Sequence, residues 1–169
     1  MLVVFGGLPG SGKTTIARAL ASQRSATYLR IDVIEQAMRA SGVLAGAVGP
    51  AGYVVGNALA ESNLALGHVV IADCVNPVRE SREGWRATAA RCGKRLLEVE
   101  VICSDIAEHR RRVEQRAGDI DGLVQPTWQD VSTREYLRWT EPHLVVDTAL
   151  LSPEAAIAIV ADAMDRQPG

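Results

Sequence analysis

Eight consecutive residues, Gly7-Leu8-Pro9-Gly10-Ser11-Gly12-Lys13-Thr14, read G-x-x-x-x-G-K-[ST], and few patterns narrow a fold so far. The glycines let successive backbone N–H groups turn inward as a nest for an anion, where any Cβ would obstruct the approach. A buried strand must deliver the chain to such a nest, and a helix must open on its far side so that its dipole adds to the N–H groups. Both flanks are present. Leu2-Val3-Val4-Phe5 is an apolar run closed by Gly6-Gly7, as expected of a strand buried on both faces of a parallel sheet. Beyond the loop, Ile16, Ala19, Leu20 and Gln23 fall along one side of a predicted helix. Residues Gly7 to Thr15 are therefore candidates to cradle the phosphates of a nucleotide. Lys13 would bridge β- and γ-phosphate oxygens and the Thr14 hydroxyl would ligate Mg²⁺. The competing reading, a glycine turn with a surface lysine by chance, must account for eight matching positions and two matching flanks.

Composition sharpens that lysine. Of eighteen Lys+Arg residues only two are lysines, Lys13 and Lys94. The arginines are spread along the chain and read as coding composition, while Lys94 follows Cys92-Gly93 and reads as a solvated cation at a helix end. A net charge of −2 excludes the whole-chain electrostatic footprint of a non-specific nucleic-acid binder. The 169 residues, 47% hydrophobic and 22% charged, suit one domain, 1–169, with a real core. Cys74, Cys92 and Cys103 are odd in number and lack C-x-x-C spacing, so reduced thiols are expected rather than a disulfide framework or zinc site. No run approaches the length of a membrane span and the N-terminus lacks a signal-peptide pattern. A cytoplasmic protein without a membrane partner is expected.

Strand patterns alternate with helical ones. Strands are predicted at 26–31, 68–72, 95–103 and 144–146, with Asp32 and Asp73 just past the first two. Helices are predicted at 33–39, 53–66 and 78–92, with Pro77 where the last would start. Asp105, with Glu108 three residues on, resembles a capping box opening a helix to about Ala117. Gly118 to Pro126 reads as a polar loop. Thr127 would cap a helix reaching about Trp139, and Ser152-Pro153-Glu154 would open the last one, with Ala156, Ile159, Val160 and Ala163 inward. Six glycine or proline residues between Gly42 and Gly56 point to a loose connection. Repeated βαβ units mean an α/β fold, a parallel sheet with helices on both faces.

Among proteins with this loop, GTPase switches need an N-K-x-D motif, and neither lysine follows an asparagine. Large motor ATPases carry a D-E pair after the second nucleotide strand, where this chain has Asp73-Cys74. The chain resembles the zeta-toxin, chloramphenicol-phosphotransferase and polynucleotide-kinase-like group of small P-loop kinases, often labelled AAA-like ATP-binding domains. The resemblance runs from Leu2 to about Met164 and rests on Gly7–Thr14, Asp32, Asp73-Cys74-Val75-Asn76 and Arg112-x-x-x-Arg116. It implies a P-loop NTPase fold with five parallel strands in the order 2-3-1-4-5. It also implies a lid at about 117–127 and an acceptor-site segment at about 41–66.

The same resemblance implies that Asp32 accepts a hydrogen bond from a substrate hydroxyl. Its competing role is the N-cap of the following helix. Asp73 corresponds to the Walker-B-type carboxylate that holds Mg²⁺, against a plain strand-terminal aspartate. Asn76 would orient substrate or cap the Pro77 helix. Arg112 and Arg116, i and i+4 on one predicted helix face, would neutralise charge on the transferred phosphoryl, or else pair with Glu108 or Glu114. Arg39, Arg79 and Arg82 flank the expected acceptor cleft. Trp128 and Trp139 fall on one predicted helix and read as packing residues. His68, His109 and His143 form no pattern. Polynucleotide kinases carry an arginine three residues after the aspartate, and Glu35 stands there instead, which weighs against nucleic acid as partner. The expected activity is ATP- and Mg²⁺-dependent transfer of the γ-phosphate to a hydroxyl of a small molecule. The alternatives are a non-enzymatic ATP-binding switch and a polynucleotide 5′-hydroxyl kinase.

Overall fold

The computed structural model describes residues 1–43 and 46–166. Five strands, β1 (Leu2–Gly6), β2 (Thr27–Arg30), β3 (Val70–Asp73), β4 (Leu96–Ile102) and β5 (Leu144–Asp147), form one parallel sheet in the order β2-β3-β1-β4-β5. This is the order that the resemblance implies. Seven helices accompany the strands among the described residues: α1 (Lys13–Gln23), α2 (Ile31–Ala40), α3 (Ala51–Ala65), α4 (Arg79–Arg91), α5 (Ile106–Glu114), α6 (Trp128–Ser132) and α7 (Pro153–Asp165).

All five residues of β1 are buried, because it is the central strand with helices on both sides. Alternation splits its side chains between two cores. Val3 and Phe5 pack with Ile16 and Leu20 of α1 and Val160 of α7, while Leu2 and Val4 pack with Leu64 of α3 and Trp85 of α4. Lateral pairing then fixes the ligand-side edge. Phe5 and Arg30 flank Asp73 in register, so the ends of three strands stand beside the loop that leaves β1.

Three element ends, and the buried face of a fourth element, differ from the sequence expectation. β2 stops at Arg30 and the next residues are helical, so Asp32 lies in the first turn of α2 rather than at a strand end. α5 stops at Glu114, where the Gln115 N–H closes on the Arg111 carbonyl. Arg116 is therefore off the helix that carries Arg112. α6 opens with the expected Thr127 cap, here a full capping box with Asp130, but ends at Ser132 instead of near Trp139. The Ser132 and Thr133 hydroxyls bond back to the Gln129 carbonyl, and tertiary contacts draw residues 136–139 elsewhere. In α7 the buried stripe is Ala156, Val160 and Met164, with Ile159 37% exposed. At α5, Asp105 caps the Ala107 and Glu108 N–H groups as expected. Glu108 turns to Arg111 and Arg112 instead of completing the box. The expected loose connection over 42–56 falls partly on residues 44–45, outside the described residues, and α3 already occupies its end from Ala51.

Candidate active site

The loop between β1 and α1 has the backbone that its glycines predict. Gly7 has φ +143°, and a Cβ there would collide with the Val101 carbonyl oxygen of β4. Gly10 has φ +83°, and a Cβ would lie 2.6 Å from Val113 Cγ2. Gly12 is the N-cap of α1 and has no side chain to cap it; the Thr15 N–H turns back to the Gly12 carbonyl at 3.1 Å, and the start of the helix presents its positive dipole end to an anion. The buried Ser11 Oγ has no hydrogen-bond partner. Below the loop, His109 Nε2 lies 2.8 Å from the Pro9 carbonyl oxygen. A carbonyl only accepts, so Nε2 carries the proton and donates. His109 thus braces the loop from α5, a contact that its isolation in sequence did not disclose.

Two cavities meet at Lys13, itself only 4% exposed. One, about 500 Å³, is lined by Gly10, Gly12 and Thr14 and by five cations, Lys13, Arg18, Arg111, Arg112 and Arg116, with Asp119 as the only acidic side chain. Thr15 lines it too. Such a surface suits a polyphosphate. A smaller recess of about 270 Å³ continues it between Thr15, Ile16, Arg112, Thr148 and Leu151. The other cavity, about 360 Å³, is lined by Lys13 and Arg116 again, by Asp32, Glu35, Gln36 and Arg39 of α2, and by residues 122–126 and Arg134. Desolvation by burial raises the Glu35 pKa above the usual carboxylate value, against the pull of Arg39.

Asp32 makes no cap bond. Arg30 is the N-cap residue of α2, which leaves the Asp32 carboxylate facing the second cavity. Asp73 is 1% exposed. Its Oδ2 accepts a 2.7 Å hydrogen bond from the Tyr28 hydroxyl, and its Oδ1 has no partner. Burial, then the Asp73 charge and hydrogen bond, push the Tyr28 pKa far up, so the phenol remains a donor. An orphaned, buried carboxylate oxygen beside the phosphate loop fits a Mg²⁺ ion or its bound water. Mg²⁺ commonly takes one or two protein oxygens and completes its shell with phosphates and water. Among the described residues no cluster of three or more His, Cys, Asp or Glu side chains is placed to hold a metal ion.

The two arginines proposed as a pair are set differently. Arg112 donates to Glu108 Oε1 (2.7 Å) and to the Thr148 hydroxyl and carbonyl (2.8 and 3.1 Å). Thr148 Oγ1 also lies 2.8 Å from the Ser11 carbonyl oxygen, so Arg112 is tied to the loop after β5 beside the smaller recess. Arg116 borders both cavities that meet at Lys13, and among the described residues its ion pair is a long one, 3.7 Å to Asp119. Thr148 was missed in the sequence. The available signal was its position one residue past β5, at the edge where ligands of open α/β sheets bind.

Other expected residues are placed elsewhere. Arg39 lines the second cavity, but Arg82 is buried and donates to the carbonyls of Asn76, Pro77, Leu137 and Arg138, with its guanidinium 4.5 Å from the Trp139 ring. Arg79 borders a surface cleft on the α4 side. Asn76 neither caps α4, whose N-cap is Val78, nor bonds through its buried amide; its φ is +54°. Within the expected acceptor segment 41–66, several described residues between Gly49 and Glu61 border a separate apolar groove against α4, whereas the cavity beside Lys13 is lined by α2 and residues 122–126.

The fold recurs in solved structures. The chain aligns with the APS kinase of Mycobacterium tuberculosis in complex with AMPPNP and APS at TM-score 0.75 and 22% identity, over 98% of this chain and 97% of that one. It aligns with a sugar kinase from Janibacter sp. HTCC2649 at TM-score 0.71 and 21% identity, over 97% and 94%. It also aligns with Kti12 of Chaetomium thermophilum in complex with ADP-AlF3 at TM-score 0.70 and 21% identity, over 98% and 100%. No curated protein matches the chain. Residues 2–134, from the first residue of β1 to just past α6, match AAA_33, an AAA domain. With that match over most of its length and P-loop kinases among its structural neighbours, the chain belongs to the AAA_33 family of AAA domains.

Proposed function

We propose that this chain is an ATP-dependent kinase that transfers the γ-phosphate to a hydroxyl of a small molecule. The observation that carries the reading is the shared wall of the two cavities. Lys13 and Arg116 border both the cationic cavity and the cavity holding Asp32, so a phosphoryl group bound between them can be exchanged from one side to the other. ATP would bind with its phosphates along Gly7–Thr15 and its base toward the recess beside Arg112 and Thr148. Thr14 and Asp73 would hold Mg²⁺, which supplies charge neutralisation on the phosphates when bound.

The acceptor oxygen attacks the γ-phosphorus and the bond from that phosphorus to the β–γ bridging oxygen breaks. The acceptor proton passes to the Asp32 carboxylate, and ADP leaves. Positioning of the carboxylate matters more than its basicity, because phosphoryl transfer is loose and the proton can leave late. Arg116 and Lys13 neutralise charge on the oxygens of the transferred group. The acceptor cavity has no aromatic lining residue, which supports a compact polar acceptor over a stacked base. Cys74, Cys92 and Cys103 are free thiols, and no helix among the described residues is long and apolar enough to cross a membrane.

The test is ATP consumption over a panel of hydroxyl metabolites and antibiotics, with phosphorylated products identified by mass. An Asp32→Ala variant should retain ATP affinity and lose transfer. Slow ATP hydrolysis alone with every acceptor would reject the proposal.

A further inference from the structure

Arg30 closes β2, and its side chain is 1% exposed. Its Nη1 and Nη2 donate to Asp119 Oδ2 and Oδ1 at 2.6 and 3.0 Å, a fork-on-fork pair that fixes distance and direction together. The remaining faces of the same guanidinium lie toward the site. Nη2 is 3.9 Å from Asp32 Oδ2 and Nε is 3.9 Å from Asp73 Oδ2. One buried cation thus stands among the carboxylate facing the acceptor cavity, the carboxylate beside the phosphate loop and the carboxylate of the lid.

Burial alone would make this cation costly. Desolvation by itself lowers the Arg30 pKa, yet the Asp119 hydrogen bonds and the charges of Asp119, Asp73 and Asp32 outweigh it and raise the value. Asp119 supplies both direct hydrogen bonds, so lifting the lid would strip a buried guanidinium of its only close partner. The remaining contacts of Asp119 are weaker. Arg18 Nη1 at 3.0 Å belongs to a half-exposed side chain, and Arg116 is 3.7 Å away. The lid is therefore fastened at Arg30, and Arg116, three residues before the fastening point, is carried to the wall between the cavities while keeping a loose partner.

We propose that Arg30 and Asp119 are a pair of positioning residues. Docking of Asp119 on Arg30 sets the lid in the register that brings Arg116 to the transferred phosphoryl and keeps Asp32 directed at the acceptor. The catalytic part of this inference rests on the kinase reading; the fastening of the lid does not. Lysine at position 30 would keep the charge and lose the fork.

The experiment compares wild type, Asp119→Asn and Arg30→Lys by amide hydrogen exchange without ligand and by steady-state phosphoryl transfer. In both variants exchange over 117–126 should rise about tenfold while β1 and β3 keep their protection. Transfer should fall about tenfold in kcat with KM for ATP changed less than about threefold, the pattern of a lost transition-state contact. Asp119 is on a loop, so its variant carries the test if Arg30→Lys does not fold. Lid exchange equal to wild type, or acceleration shared equally by β1 and β3, would overturn the pair. A faster-exchanging lid in a protein that transfers to no acceptor would support the fastening and reject the kinase reading.

Discussion

Lys13 differs from the sixteen arginines of the chain in shape more than in charge. A compact ammonium fits between β- and γ-phosphate oxygens where a planar guanidinium does not. Lys13→Arg should therefore weaken ATP binding by about tenfold or more despite conserving charge, as read by calorimetric titration. The conformation of the loop was legible because it is local: Gly7, Gly10 and Gly12 take positive φ through their own backbone. Arg30, His109 and Thr148 were not. Their roles depend on Asp119, Pro9 and Ser11, which lie about 90 to 140 positions away in sequence. Arg82 shows the converse. Its position invited a substrate role, but it serves four backbone carbonyls.

At the scale of elements, types were legible and ends were not. The strands and the α1, α4 and α7 patterns follow from hydrophobic period, which the sequence carries directly. The end of α6 follows from capture of the next residues: Leu137 N–H donates to the Pro77 carbonyl, Arg82 donates to the Leu137 and Arg138 carbonyls, and the Trp139 ring covers Gly6. Two predictions belong here. A Cβ at Gly6 would collide with Trp139 Cζ2, so Gly6→Ala should displace the indole and cost about 1–3 kcal/mol, seen as a lower denaturation midpoint and altered tryptophan emission. Arg82→Ala should cost about 2 kcal/mol by leaving the buried Asn76 carbonyl and three partly buried ones without their donor, and urea unfolding would measure it. A midpoint unchanged in Arg82→Ala would mean that water replaces the guanidinium.

For the whole molecule, the sheet order was legible through the resemblance and the division of the core into two layers through alternation in β1. The cavity beside Asp32 was less so, because α2 and residues 122–126 that line it approach only in the fold. The segment 117–126 should respond to acid. Hydrogen bonding from Arg30, against desolvation, holds the Asp119 pKa below its usual value. A depressed carboxylate contributes stability above its unfolded pKa and loses it as pH falls through the folded value. Protection of 117–126, corrected for intrinsic exchange, should thus be constant above about pH 4 and decline below it, whereas Asp119→Asn should show no such step. The central place of β1 has a consequence for synthesis. Its neighbours in the sheet are β3 and β4, which end at Asp73 and Ile102. A nascent chain can expose the entire phosphate loop long before the strand supplying Val101 beneath it has left the ribosome. The nest must then wait for its second wall, and chains arrested before β4 should emerge without the capacity to retain nucleotide.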